Sequence, residues 1–246
     1  MLEDAGEGDR RQRRDVLSSP MQTEVDVAFD APAVDTLAAG GFVVVDGWLG
    51  RASALALRRD LLALLDLGCF APARVGAGAH LQEASDVRRD SICWFDADAK
   101  PEANDGRFGV LPGREVGLFL ARMARLREHL NRTCFLSLTA IECHAACYEP
   151  GAFYAAHLDT PVGDARRIIS FSHYLSDRGH GERGGCLRLH GERVDPIDIE
   201  PLFDRLVVFQ SRSVLHEVMP VVVRRFSMTG WMSGATSQAD WRLRLS

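Results

Sequence analysis

The sequence predicts an α+β domain in which helices precede a run of short strands folded as a sandwich or jelly roll. Three observations predict it. Apolar stripes at helical spacing are confined to the first 131 residues. Beyond Cys134, short runs of Val, Ile, Phe and Leu alternate with Gly, Pro and Asp turns. The chain, 246 residues with 46% hydrophobic side chains, suffices for one sizeable core.

Residues 1–23 are polar, rich in Arg and Glu and without period, which reads as a disordered leader; Met21 is an alternative start. FVVVD (42–46) is β-branched and predicts a buried strand. From Ala52 a helix is expected with Leu57, Leu61, Leu64 and Leu65 on one face and Gly68 as its stop. Residues 71–91 fit neither period and read as a long mobile loop, a kind that is usually functional inside a compact domain. A second helix spans 113–131, where Val116, Phe119, Leu120, Met123 and Leu130 share a stripe. Residues 24–132 thus form a supporting layer. Strands are expected within 134–148, 166–176, 185–190, 205–211 and 221–232, so that 133–232 is the core and 233–246 a tail, in one structural domain without internal repeats.

A net charge of −5 provides no basic field for a nucleic-acid backbone. No apolar run approaches the ~20 residues of a membrane span, and the N-terminus lacks the apolar stretch of a secretory signal. Six scattered cysteines read as reduced thiols, so a cytoplasmic chain, taken as a monomer, is expected.

His157-Leu158-Asp159 sets two metal-ligand types at i and i+2, which on a strand share a face. Alone the pair is weak, since 8 His and 21 Asp give on the order of one such pair by chance. His216, after the run 206–209, supplies a third donor, and two His plus one carboxylate with positions left open are the ligand set of non-heme iron(II) oxygenases. His180-Gly181-Glu182 and His190-Gly191-Glu192 repeat the spacing, but in a Gly-rich loop and at a turn. Cys143, His144 and Cys147 lack the second Cys/His pair that zinc requires. His173 lies inside a strand and reads as packed or hydrogen-bonded. Gly179-x-Gly181-x-x-Gly184 leads into a strand rather than a helix, so it is no dinucleotide loop.

Arg225, Ser227, Thr229 and Trp231 alternate with Arg224, Phe226, Met228 and Gly230. On a strand the first set shares a face carrying a fixed cation, two hydroxyls and an aromatic wall, which suits a small dicarboxylate. Tyr174 would bring another hydroxyl to the same carboxylate.

The stretches CYEPGAFYAAHLDT, GDARRIISFSHYLSD, GGCLRLH, DIEPLFDRLVVFQS and LHEVMPVVVRRFSMTGWM, with GFVVVDGWLG and DVRRDSICWFD upstream, resemble the prolyl 4-hydroxylase superfamily. More narrowly, they resemble the prolyl hydroxylases of hypoxia-inducible factor and their bacterial relatives, over roughly residues 37–232. The resemblance implies a double-stranded β-helix with supporting N-terminal helices. It implies iron(II) on His157, Asp159 and His216, and 2-oxoglutarate with its distal carboxylate on Arg225 and Tyr174. Tyr148, Thr229 and Trp231 match further pocket positions. The implied reaction is 4-hydroxylation of a prolyl residue, releasing succinate and CO2, with ascorbate as reductant and oxygen sensing as a family role. The implied partner is a protein bearing the target proline, a translation factor among the candidates, held partly by Arg88 and Asp90 beside the 71–91 loop. An extra residue between Asp159 and Tyr174 leaves Arg166 or Arg167 for the substrate side; Arg167 is taken here. CYEPGAFYAAH is one residue shorter than in the animal enzymes, which bears on Tyr148. A free small-molecule substrate, or a metal- and 2-oxoglutarate-binding sensor without turnover, are the alternatives.

Overall fold

The computed structural model describes residues 29–76, 82–95, 109–110, 113–160, 166–176, 184–191 and 195–234. The expected leader, most of the expected tail, His180, Glu182 and Glu192 lie outside them.

Helix α1 (Ala31–Gly40) is one the sequence reading passed over. Its signals are local: Asp30 accepts the Ala33 amide at 3.1 Å, a proline sits in the first turn, and Gly41 closes the helix at φ 80°. Helix α2 (Arg51–Asp66) buries Ala54, Leu57 and Leu61. It stops at Gly68 (φ 73°), where the Cys69 and Gly68 amides turn back to the Leu64 and Leu65 carbonyls. Helix α3 (Arg114–Thr133) buries Val116, Phe119, Met123, Leu126, His129 and Leu130, the three-and-four spacing of a one-faced helix. The three helices cover one side of the large sheet and share its apolar core. Each fully buried Leu there is worth about 1.5–3 kcal/mol.

The strands are β1 (Phe42–Asp46), β2 (Ala71–Pro72), β3 (Ser91–Phe95), β4 (Gly109–Val110), β5 (Leu138–Tyr148), β6 (Tyr154–His157), β7 (Arg167–Tyr174), β8 (Leu187–His190), β9 (Ile197–Ile199), β10 (Arg205–Gln210), β11 (Leu215–Val218) and β12 (Arg225–Gly234). A large sheet runs β1-β10-β7-β12-β5-β3-β2, with β4 also on β3, and a small one runs β6-β11-β8-β9. From β5 to β12 the chain passes back and forth between the two sheets, which makes the expected double-stranded β-helix. A second core fills the space between them, with Tyr174, Leu187, Leu189, Ile199, Val207, Phe209 and Val214. At the centre of β12 a Cβ on Gly230 would sit 2.0 Å from the Glu142 carbonyl oxygen, so only glycine lets β12 and β5 approach.

The 71–91 segment is more regular than its lack of periodicity suggested. Ala71 and Pro72 pair with β3, Val75 pairs with Gln82, and the return limb lies along β6. There Ala155 N donates to Val87 O and Arg89 N to Phe153 O. These partners are distant in sequence, so no local period announces them. Among the described residues no helix is long and apolar enough to cross a membrane.

Candidate active site

The ends of β6 and β11 meet in antiparallel register, His157 opposite His216. Strand β6 ends at His157, so Asp159 stands in the turn beyond it rather than on the strand, with Leu158 half-exposed between them. The i, i+2 geometry nonetheless persists. His157 Nε2 lies 3.5 Å from Asp159 Oδ1 and His216 Nε2 lies 3.5 Å from Asp159 Oδ2. One donor atom from each of the three lies within 4.8 Å of the others, the one such group of three among the described residues.

The imidazoles are aimed by their own strands. His157 Nδ1 bonds the Ala155 carbonyl at 2.8 Å and His216 Nδ1 bonds the Val214 carbonyl at 3.0 Å. A carbonyl only accepts, so Nδ1 carries a proton in each ring and Nε2 is the atom each ring presents to Asp159 and, when deprotonated, to a cation. Burial pushes the His216 imidazole down, against the pull of Asp159. Burial would raise Asp159, but His216, His157 and the Ser170 hydroxyl outweigh it and hold the carboxyl below the usual range. Two imidazole nitrogens and one carboxylate form a cation site, with room for further ligands on the cavity side.

That cavity, partly open to solvent, lies between the sheets. Arg225, Ser227, Thr229 and Trp231 all face it, as the alternation along β12 predicted. Arg225 is 2% exposed, and its guanidinium packs on the rings of Tyr174 and Tyr148 at 4.7 and 5.1 Å. Its Nε and Nη1, the Tyr174 hydroxyl and the Trp231 indole N–H are buried without hydrogen-bond partners. A buried cation with unused donors is costly unless something anionic completes it, so these residues fit the carboxylate of a small acid. Arg224 points the other way, to an ion pair with Glu149 at 2.7 Å. Thr229 bonds the hydroxyls of Ser172 and Ser227, both at 3.2 Å.

Arg88 lines the cavity, but Asp90 is buried behind it, gripping the guanidinium by both oxygens at 2.7 and 2.5 Å. Burial works against the Arg88 charge, and Asp90 more than restores it. The pair is therefore an interior ion pair rather than a solvated one. Arg88 also lies over the Tyr154 ring at 4.2 Å, and that ring stacks on His157 at 3.7 Å. The Arg167 guanidinium lies over the Trp231 ring at 3.5 Å, donates to the Asp159 carbonyl at 3.2 Å and reaches Glu142 at 3.4 Å.

The rival ligands are occupied otherwise. His190 pairs with Glu217 at 3.0 Å, and His173 bonds Asp204 at 2.9 Å while stacking on Phe119. Burial raises the Cys143 thiol strongly and pushes Cys147 up to about 12. The sequence reading missed three polar contributors: Ser170, which donates to Asp159 Oδ2 at 2.7 Å, Ser211 behind it, and Glu142. Each is a common residue type whose spacing from the ligands matches no motif.

A model described as the 2OG-Fe(II) oxygenase superfamily matches residues 143–233. The chain is 31% identical over 210 residues to Egl nine homolog 1 of Homo sapiens, covering 83% of this chain and 46% of that protein. It is 31% identical over 197 residues to the Hypoxia-inducible factor prolyl hydroxylase of Caenorhabditis elegans, covering 78% and 26%. The chain therefore spans about half the length of these curated relatives or less. Among solved structures, a Pseudomonas putida prolyl-4-hydroxylase matches with a TM-score of 0.70 and 33% identity, over 83% of this chain and 98% of that one. A Trichoplax adhaerens prolyl hydroxylase, solved with a hypoxia-inducible factor oxygen degradation domain peptide, gives 0.72 and 25%, over 94% and 98%. The chain belongs to the 2OG-Fe(II) oxygenase superfamily and, within it, to the prolyl hydroxylases. Membership implies iron(II) and 2-oxoglutarate, and the donor set and the uncompensated Arg225 fit both.

Proposed function

We propose that the protein is an iron(II)- and 2-oxoglutarate-dependent dioxygenase that hydroxylates a prolyl residue of a protein substrate at C4, with release of succinate and CO2. The observation that carries this reading is the convergence of His157, Asp159 and His216 in a cavity whose other wall holds the buried, unsatisfied Arg225. His157, Asp159 and His216 would hold the iron. Arg225 and Tyr174 would hold the distal carboxylate of 2-oxoglutarate, with Tyr148, Thr229 and Trp231 as pocket walls. When bound, iron and 2-oxoglutarate supply the oxygen activation that no side chain provides. The chain's own residues orient and shield: the backbone carbonyls fix both imidazoles, while Phe209, Val218 and Leu187 keep one side of the cavity dry. Arg88, braced by Asp90, and Arg167 would meet the polypeptide substrate.

Ascorbate as reductant, a cytoplasmic location, a monomeric state and a translation factor as target belong to the same proposal; six free cysteines support a reducing compartment. The test is mass spectrometry of extract proteins incubated with the enzyme, Fe(II), ascorbate and 2-oxoglutarate. One added oxygen on a prolyl residue, dependent on 2-oxoglutarate, is expected, and oxygen found only on a free metabolite overturns the substrate class. His157→Ala, Asp159→Ala and His216→Ala are each expected to abolish metal binding and turnover with the fold retained by circular dichroism. Full activity in Asp159→Ala would remove the metal assignment.

A further inference from the structure

Asp159 is held by a chain of two buried hydroxyls, Ser170 and Ser211. Ser170 Oγ donates to Asp159 Oδ2 at 2.7 Å, and Ser170 Oγ and Ser211 Oγ lie 2.8 Å apart. Each hydroxyl has one proton and the ionised carboxylate only accepts. The order is therefore fixed: Ser211 O–H donates to Ser170, and Ser170 O–H donates to Asp159. Ser170 is 1% exposed and Ser211 0%, so both bonds are shielded from bulk water. Ser170 lies on β7, and Ser211 immediately follows β10, where its amide donates to the Ile168 carbonyl. The same turn leads into β11, which carries His216. From the other side Arg167 donates to the Asp159 carbonyl oxygen, so the residue is held at both ends.

We propose that Ser170 and Ser211 are positioning residues that make Asp159 a one-oxygen metal ligand, engaging Oδ2 in the hydroxyl chain and leaving Oδ1 for the ion. This rests on the metal reading of the triad. A carboxylate free to turn would present both oxygens and take up a position that a cosubstrate or oxygen needs.

The test is Co(II) titration of the metal-free protein, read by affinity and by the visible spectrum of the bound ion, which is sensitive to coordination. Ser170→Ala is expected to weaken Co(II) binding by about 10- to 100-fold and to change the spectrum. Ser170→Thr, which keeps the hydroxyl, is expected to restore both. Ser211→Ala should have a smaller effect of the same sign, because it reaches Asp159 only through Ser170. Wild-type affinity and spectrum in Ser170→Ala, even with a lowered unfolding midpoint, would overturn the hydroxyl chain alone. A wild-type protein that binds no Co(II) overturns the metal reading, and this inference with it.

Discussion

Arg224 and Arg225 are adjacent, chemically identical and opposite in role. Arg224 has half its side chain in solvent and a carboxylate partner in Glu149, a pairing worth about 0–1 kcal/mol. Arg225 is buried against two tyrosines with unused donors, an arrangement that destabilises the fold unless a ligand completes it. The sequence distinguished them because side chains on a strand alternate, and Arg225 shares its phase with Thr229 and Trp231. It could not reveal Ser170 and Ser211, which meet Asp159 from 11 and 52 positions away and carry no spacing signature. Arg225→Met is expected to leave the apo protein as stable as wild type or more so. It should weaken 2-oxoglutarate binding at least tenfold, about 1.4 kcal/mol, and so reduce the rise in melting temperature that saturating 2-oxoglutarate gives. Arg224→Ala should preserve that rise. If the two variants behave alike, the buried guanidinium is not the carboxylate site.

At the scale of elements, the sequence was most legible where a local period exists. The strand Phe42–Asp46 and the helices Arg51–Asp66 and Arg114–Thr133 were found within a few residues. Short strands such as β9, and the pairing of β2 with β3, depend on distant partners and left no pattern. Helix α1 was missed although Asp30, Pro32 and Gly41 mark both its ends, because its ten residues carry only two buried apolar positions, Val34 and Leu37. His173, expected to be packed or hydrogen-bonded, joins elements. It bonds Asp204, whose same oxygen receives the Leu49 amide at 2.8 Å ahead of α2. Burial holds this imidazole below its ordinary value near 6.5, against the pull of Asp204. With the folded value depressed, its contribution is complete above about pH 6.5 and shrinks as the pH falls, because the unfolded chain then gains a proton that the fold resists. Denaturation midpoints of the apo protein should fall from about pH 7 to pH 5. His173→Asn should reduce the slope, the remainder belonging to His216, which burial shifts the same way. An unchanged slope in that variant would remove His173 from the account.

On the scale of the whole molecule, two sheets converge at one open end, where three elements remote in sequence border the metal triad. Arg88 arrives from the return limb of the 71–91 excursion, Arg167 from β7 and Trp231 from β12, with Asp90 and Glu142 bracing the two arginines. Fixed cations and aromatic faces on such a rim suit the polypeptide substrate proposed above. The excursion itself is anchored at its base by the Val75–Gln82 pair and along β6 by Val87 and Arg89, so it can be shortened without disturbing Arg88. Replacing residues 76–81 with Asn-Gly, the two-residue hairpin turn, keeps that pair and removes only the tip. If the tip helps to hold a chain-like substrate, hydroxylation of the protein target should fall roughly tenfold or more, while substrate-uncoupled 2-oxoglutarate turnover changes by less than about twofold. The two rates separate the roles because uncoupled turnover needs only the triad and Arg225, whereas protein hydroxylation also needs the rim. Equal loss of both would mean that the tip supports the fold of the site, and loss of neither would place the substrate elsewhere on the rim.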